Sequence, residues 1–356
     1  MVFFGLISFP LYLWHWPLLA LCQTLESQTP GSFIRLSVLA TSIILAWLTF
    51  TYIEKPIRHG SKKSIKSPIL ALSLMIIGCI GCLIWVGNGL EFRSPIKQSQ
   101  FFTDQKIEQQ FQEKCELPLK HIPQTHCAEI NTGKPIILIV GDSHVRHWYE
   151  ILKDKITADN FDVKAISKGG CPFLLDVAVP NVPDCIKTNS EILDYMIENK
   201  DNIQAVLMAG EYETYAQYGY LKDKYGKNVE FSRALLNTIG RVENQNLVFL
   251  DQIPPISFDP KKCINRPFRF GAINFECRTQ SSYVRSALAS YKTQRDLALA
   301  DYKKVSIFNV DSILWEGNYC IATDGNFLLY QDRTHLNPNG VRFIKNKIPA
   351  KNLKFN

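Results

Sequence analysis

Apolar residues crowd the first quarter of this chain and alternate with polar ones in the rest. Val2 to Leu21 carries no Asp, Glu, Lys or Arg, Phe33 to Ile53 carries only Arg35, and Pro68 to Leu90 carries none. Each run is about the 20 residues that a helix needs to cross a bilayer, so the pattern predicts three transmembrane helices within residues 1–90. The first run lacks the basic start of a signal peptide and a second run follows closely, which argues against cleavage. Residues 91–133 are polar and mixed, with Phe101, Phe102 and Phe111 among charges, and read as a linker with a disulfide loop. From 134 to 356 the pattern changes again. Short apolar runs at 136–140, 163–167, 205–209, 247–251 and 305–310 read as strands. Amphipathic stretches at 144–156, 189–200, 230–243, 282–302 and about 339–347 read as helices. Such alternation predicts an α/β domain, with a parallel sheet covered by helices on both faces and joined by right-handed crossovers. There is no internal repeat and no low-complexity tract.

Charge adds a topology. The net charge is +7, and part of it is the cluster Lys55, Arg58, Lys62, Lys63 and Lys66 between the second and third runs. The earlier loop, Cys22 to Ser32, holds Glu26 and no Lys or Arg. The positive-inside rule then puts 54–67 in the cytoplasm, and the loop 22–32 and everything after the third span outside. A membrane-proximal signal accounts for these lysines, so no nucleic-acid partner is expected. The ten cysteines agree with an outer location. Cys115 and Cys127, Cys171 and Cys185, and Cys263 and Cys277 form local pairs, as expected of disulfides in an oxidising compartment. Cys79 and Cys82 lie in the third run as apolar filler, and Cys320 is left over. No histidine or cysteine spacing suits a metal, so none is expected.

The candidate chemistry sits at two places. Gly141, Asp142, Ser143 and His144 directly follow the apolar run Ile136–Val140, and Asp332, Arg333, Thr334 and His335 come near the end. A turn after a buried strand exposes a serine at the carboxyl edge of a sheet, where open α/β folds place ligands. A serine hydroxyl needs an adjacent base. His335 can be that base, with Asp332, three residues earlier, orienting its ring and stabilising the imidazolium. The Ser143 backbone N–H, at the start of a helix, can face a developing oxyanion. His144 is too constrained by its neighbour to be the base. His147 should turn away from Ser143 as a surface or packing residue.

Gly-Asp-Ser early in a domain with Asp-x-x-His late in it resembles the SGNH hydrolase/acyltransferase superfamily. The resemblance implies a flavodoxin-like three-layer domain with a five-stranded parallel sheet in order 2-1-3-4-5. It implies Ser143, His335 and Asp332 as the triad. It also implies a backbone donor after the second strand, where this chain has Lys168, Gly169, Gly170 and Cys171. Gly170 is the preferred oxyanion donor and Gly169 the next, the alternative being that both merely make a turn. The family's third block supplies an Asn after a Gly, whereas this chain has Gly210, Glu211, Tyr212 and Glu213. Glu211 and Glu213 are either sugar contacts or part of a solvated loop.

A second resemblance lies in the membrane part. Tyr12, Leu13, Trp14, His15, Trp16 and Pro17, with Tyr52, Ile53, Glu54, Lys55 and Pro56, look like the last helices of the acyltransferase-3 family. One branch of that family carries a C-terminal extracytoplasmic SGNH domain after an extra span. The resemblance implies a multi-pass protein of the bacterial inner membrane with its C-terminal domain in the periplasm. It implies O-acyl transfer, acetyl being the expected group, to a cell-envelope polysaccharide such as lipopolysaccharide O-antigen. No bound cofactor is expected, acetyl-CoA acting upstream as the donor. The family's earlier helices are missing here, so a truncated chain or a split enzyme with a separate partner chain is expected. His15 is either a functional residue of the membrane part or a polar group at a helix end. A carbohydrate acetylesterase, and a non-catalytic remnant or glycan-binding subunit, remain open as alternatives.

Overall fold

The computed structural model describes residues 2–26, 29–59, 63–87, 125–243, 245–263, 276–302, 305–325 and 327–348. The chain divides into two compact units, Met1–Gln100 with Lys261–Phe275, and Phe101–Pro260 with Glu276–Asn356.

In the first unit, α1 (Val2–Glu26) and α2 (Ser32–Thr49) pack along their length. Their contact buries Ile7, Val38, Ser42 and Ala46, and the small residues let the backbones approach. The Trp14 indole N–H donates to Thr49 Oγ1 at 2.9 Å. Most of the remaining apolar side chains of both helices face outward, as lipid-facing helices require. A π-helical turn, Phe50–Glu54, continues α2. Among the described residues two stretches, Phe3–Leu25 and Ser32–Arg58, are long and apolar enough to cross a membrane, not three. In the third helix, α3 (Lys63–Val86), the apolar part among the described residues is Leu70–Val86. Residues 88–90 of the expected span lie outside the described residues.

The second unit is built on one sheet with strands β1 (Thr125–Ile130), β2 (Ile136–Gly141), β3 (Asp162–Lys168), β4 (Ile203–Ala209), β5 (Leu247–Leu250) and β6 (Ser306–Phe308). The spatial order is β1-β3-β2-β4-β5-β6. β2 to β6 are parallel, and their order is the expected 2-1-3-4-5. The sheet nonetheless has six strands rather than five. β1 comes from the segment expected to be linker and pairs antiparallel with β3. Its sequence, Thr-His-Cys-Ala-Glu-Ile, has no apolar alternation because it is an edge strand on which only Ala128 is buried. Lys164 Nζ and Glu129 tie it to β3 at 2.8 Å.

Ile137, Leu138, Ile139 and Val140 of β2 are all fully buried. Successive strand side chains point to opposite faces, so both faces of the sheet are covered. The helices are α4 (Val145–Ala158), α5 (Cys185–Glu198), α6 (Phe231–Val242), α7 (Ser281–Leu299) and α8 (Pro338–Lys347). α4 follows Ser143 and turns Val145, Trp148, Ile151, Leu152 and Ile156 inward. Cys171 and Cys185 form a disulfide that joins the turn after β3 to the start of α5. Cys127, Cys263 and Cys277 are also disulfide-bonded, while Cys22, Cys79, Cys82 and Cys320 are free. Cys115 lies outside the described residues. The Cys320 thiol is buried beside the Tyr330 hydroxyl, and burial pushes its pKa up to about 12, which makes it unreactive.

The end of β2 requires a glycine. Gly141 has φ +147, and a Cβ there would stand 1.8 Å from the Ala209 carbonyl oxygen of β4. Gly141→Ala should therefore destabilise the domain by at least about 2 kcal/mol, lowering Tm by about 5 °C or more. Gly133→Ala, at φ +85 in open space, should cost less when the two are compared by thermal melts.

Candidate functional site

The parallel register brings three loops to one edge of the sheet. Gly141 pairs with Ser167 of β3 on one side and Ala209 of β4 on the other. Asp142, Ser143 and His144 therefore leave the central strand between the turn that follows β3 and the loop that follows β4. The segment 331–335 closes over them. It is held by α8, whose N-cap Asn337 accepts from the Asn339 and Gly340 amides at 2.9 and 3.0 Å. The Asn337 side-chain amide also donates to the Leu328 carbonyl at 2.8 Å.

Ser143 Oγ lies 2.7 Å from His335 Nε2. On the other side of the ring, His335 Nδ1 lies 2.9 Å from Asp332 Oδ2. Asp332 Oδ1 accepts from the backbone amides of His335 (2.8 Å) and Thr334 (2.9 Å). Partial burial acts to raise the Asp332 pKa, but the hydrogen bonds and charge of His335 and these amides outweigh it. They hold the carboxyl well below the usual range, so it stays an anion. Three residues of spacing suffice because the carboxylate caps its own turn.

A second acid–histidine pair lies beneath the first. Asp142 and His144 are fully buried. Asp142 Oδ1 accepts from the His144 amide (2.8 Å) and faces His144 Nδ1 (3.1 Å). Asp142 Oδ2 accepts from the Glu211 amide (2.8 Å) and the Tyr215 hydroxyl (2.7 Å). His144 Nε2 reaches the Thr334 carbonyl at 3.2 Å. The His144 ring stacks on His335 with centroids 4.3 Å apart and planes inclined by 31°. Burial acts to raise Asp142 and lower His144, yet their charges and hydrogen bonds reverse both shifts. Asp142 is held down and His144 is held up. His147 is buried as well, edge-on to His144 at 4.9 Å. Burial, then the charges of His144 and His335, push its pKa well below the usual value, so it is neutral.

Gly169 and Gly170 are the central residues of a tight turn closed by the Cys171 amide and the Lys168 carbonyl at 2.9 Å. Gly170 takes φ +68, the left-handed position that favours glycine. The Ser143 and Gly170 amides have no hydrogen-bond acceptor among the described residues.

A family model described as "SGNH domain (fused to AT3 domains)" matches residues 107–350. The chain belongs to this SGNH domain family. Among solved structures, the periplasmic domain of the Salmonella ser. Paratyphi A lipopolysaccharide acetyltransferase is similar. It is 18% identical, over 62% of this chain and 84% of that one, with a TM-score of 0.41. No curated protein matches significantly.

In this SGNH domain the triad candidates Ser143, His335 and Asp332 are brought into hydrogen-bonded sequence. Gly169, Gly170, Glu211 and Glu213 come to the same sheet edge. The loop Gly210–Glu213 is not the solvated segment that was one expectation. Both glutamates are half-buried, and the Glu213 amide donates to Gln252 Oε1 at 2.7 Å. Burial raises the Glu213 carboxyl pKa, against the pull of Arg333. Tyr212, two residues after the glycine, points into the core, where it stacks on Phe249 and Tyr291 at 4.5 and 5.3 Å. His147 does not lie on the surface; it packs against His144. His15 belongs to the other unit and bonds the Leu11 carbonyl of its own helix at 3.0 Å, which gives a polar group in α1 a local partner. Sequence reasoning did not single out the Asp142–His144 pair, Tyr215, Gln252 or the Arg333 guanidinium. The one available signal was that Asp142 and His144 flank the serine.

The pH dependence of stability follows from Asp332. Its folded pKa lies below the unfolded value of about 3.9, so its contribution is present above that pH. It is lost as pH falls through the folded pKa. In urea melts, Asp332→Asn should be less stable than wild type at pH 6, and the gap should close as pH falls below about 4.

Proposed function

We propose that the domain is a serine acyltransferase that moves an acyl group, acetyl being the expected one, onto a hydroxyl of a cell-envelope polysaccharide. The observation that carries this reading is the continuous relay from Ser143 Oγ through His335 to Asp332, at 2.7 and 2.9 Å. His335 Nε2 takes the serine proton as Oγ attacks the acyl carbonyl. Asp332 stabilises the imidazolium so formed. The Ser143 and Gly170 amides, free of other acceptors, hold the oxyanion. Collapse expels the donor's leaving group, which takes the proton back from His335, and leaves the acyl group as an ester on Ser143. A sugar hydroxyl then gives its proton to His335 and attacks this ester. The second collapse returns the proton to Ser143 and releases the acylated sugar. Glu211 and Glu213 at the mouth are suited to accept hydrogen bonds from sugar hydroxyls.

The acceptor class and location rest on the resemblance to the acyltransferase-3 architecture, which the family description also names as the fusion partner. In this reading α1, α2 and α3 cross the bacterial inner membrane, and residues 134–356 form the periplasmic catalytic domain. Acetyl-CoA supplies the group on the cytoplasmic side.

Full-length protein in detergent should hydrolyse acetyl esters, and Ser143→Ala and His335→Ala should each lower turnover by about 1000-fold or more. With an oligosaccharide present, the acetyl group should appear on the sugar faster than on water. A folded wild type as silent as its variants would overturn the reading. Turnover without capture by any saccharide would make it an esterase.

A further inference from the structure

The proposed relay does not use His144, although His144 touches both of its halves. Each ring nitrogen of His144 faces an acceptor, Nδ1 the Asp142 carboxylate and Nε2 the Thr334 carbonyl. A neutral imidazole has one donor and one acceptor nitrogen, so it could satisfy only one of these contacts. At this buried position the unsatisfied pair would face lone pair to lone pair. The doubly protonated ring satisfies both. Asp142 supplies the opposing charge, and it is itself fully hydrogen-bonded.

We propose that His144 is a positioning residue held as a permanent imidazolium. It pins the segment carrying Asp332 and His335 to the loop carrying Ser143. The pinning is direct, because the Thr334 carbonyl belongs to the residue before His335. The His144 ring also stacks on His335 with centroids 4.3 Å apart, which fixes the plane of the base. The other groups facing His144 keep it charged. Glu211 adds a favourable carboxylate, Tyr215 is held to Asp142, His147 is neutral, and Asp332 is on the far side of His335. This inference deepens the acyltransfer reading and rests on it for the role of His335.

Selective 15N labelling of the seven histidines in the full chain, with NMR in detergent, tests it. Both ring nitrogens of wild-type His144 should stay protonated from pH 5 to pH 8, and Asp142→Asn should release one of the two protons. In His144→Gln acetyl-ester kcat should fall by about tenfold or more while KM stays within about twofold, as expected when only the base is misplaced. A merely structural residue would reduce the amount of folded enzyme and leave kcat per folded molecule in place. A singly protonated His144, or an unchanged kcat in folded His144→Gln, would overturn the proposal. A wild type silent toward esters would sink the acyltransfer reading alone, since the ring signals would still decide the charge of His144.

Discussion

The carboxylate of Asp142 is the contact on which the site is assembled. It receives four donors, from the His144 amide and ring, the Glu211 amide and the Tyr215 hydroxyl. These donors come from the loops after β2 and β4, so one buried anion sets the separation of two strand ends. Through His144 the same anion reaches the Thr334 carbonyl and the segment from the far end of the chain. An isolated buried carboxylate would be driven neutral by desolvation. Here every lone pair has a donor, which is the condition under which a buried charge rigidifies its surroundings. Removing one member of such a pair costs on the order of 3–5 kcal/mol, because the other is left uncompensated.

That geometry explains why the serine lies where it does. The β2 backbone approaches β4 so closely at Gly141 that no side chain fits. The chain must then turn sharply, and the turn is closed by Asp142 bonding the amide two residues on. Ser143 is left at the apex, with its own amide unused. α4 begins at once and buries Trp148 and Leu152, which fixes the turn from behind. On the opposite side Asn337 and Gly340 anchor α8, with Gly340 set as tightly against the Leu329 carbonyl as Gly141 is against Ala209. Both halves of the relay thus hang from rigid strand and helix ends, and such support holds a serine–histidine pair at bonding distance.

Much of this was legible in the sequence, and for definite reasons. Four of the five parallel strands, β2 to β5, are short apolar runs because both their faces are covered, so burial wrote them in a form that composition detects. That Ser143, Asp332 and His335 would come together was readable because acyl chemistry needs those residue types in that order, and they lie in hydrogen-bonding sequence. β1 was not readable, since an edge strand with one buried residue has no periodicity to read. The Asp142–His144 pair was invisible for another reason. Its meaning lies in the Thr334 carbonyl, and a backbone acceptor leaves no mark in the sequence.

The third block shows how a departure from a family pattern can be physical rather than merely missing. An Asn in the block after Gly210 would offer a side-chain amide at the sheet edge. Tyr212 stands there instead and is drawn into the core, where it joins a stack with Phe249 and Tyr291. The loop that a short polar side chain would open toward the serine is therefore anchored inward by a large aromatic one. Its backbone is then held by Asp142 at the Glu211 amide and by Gln252 at the Glu213 amide. With no amide side chain at that position, the donors left without an acceptor at this edge among the described residues are backbone ones, the Ser143 and Gly170 amides. One lost donor is worth about 100- to 1000-fold in rate.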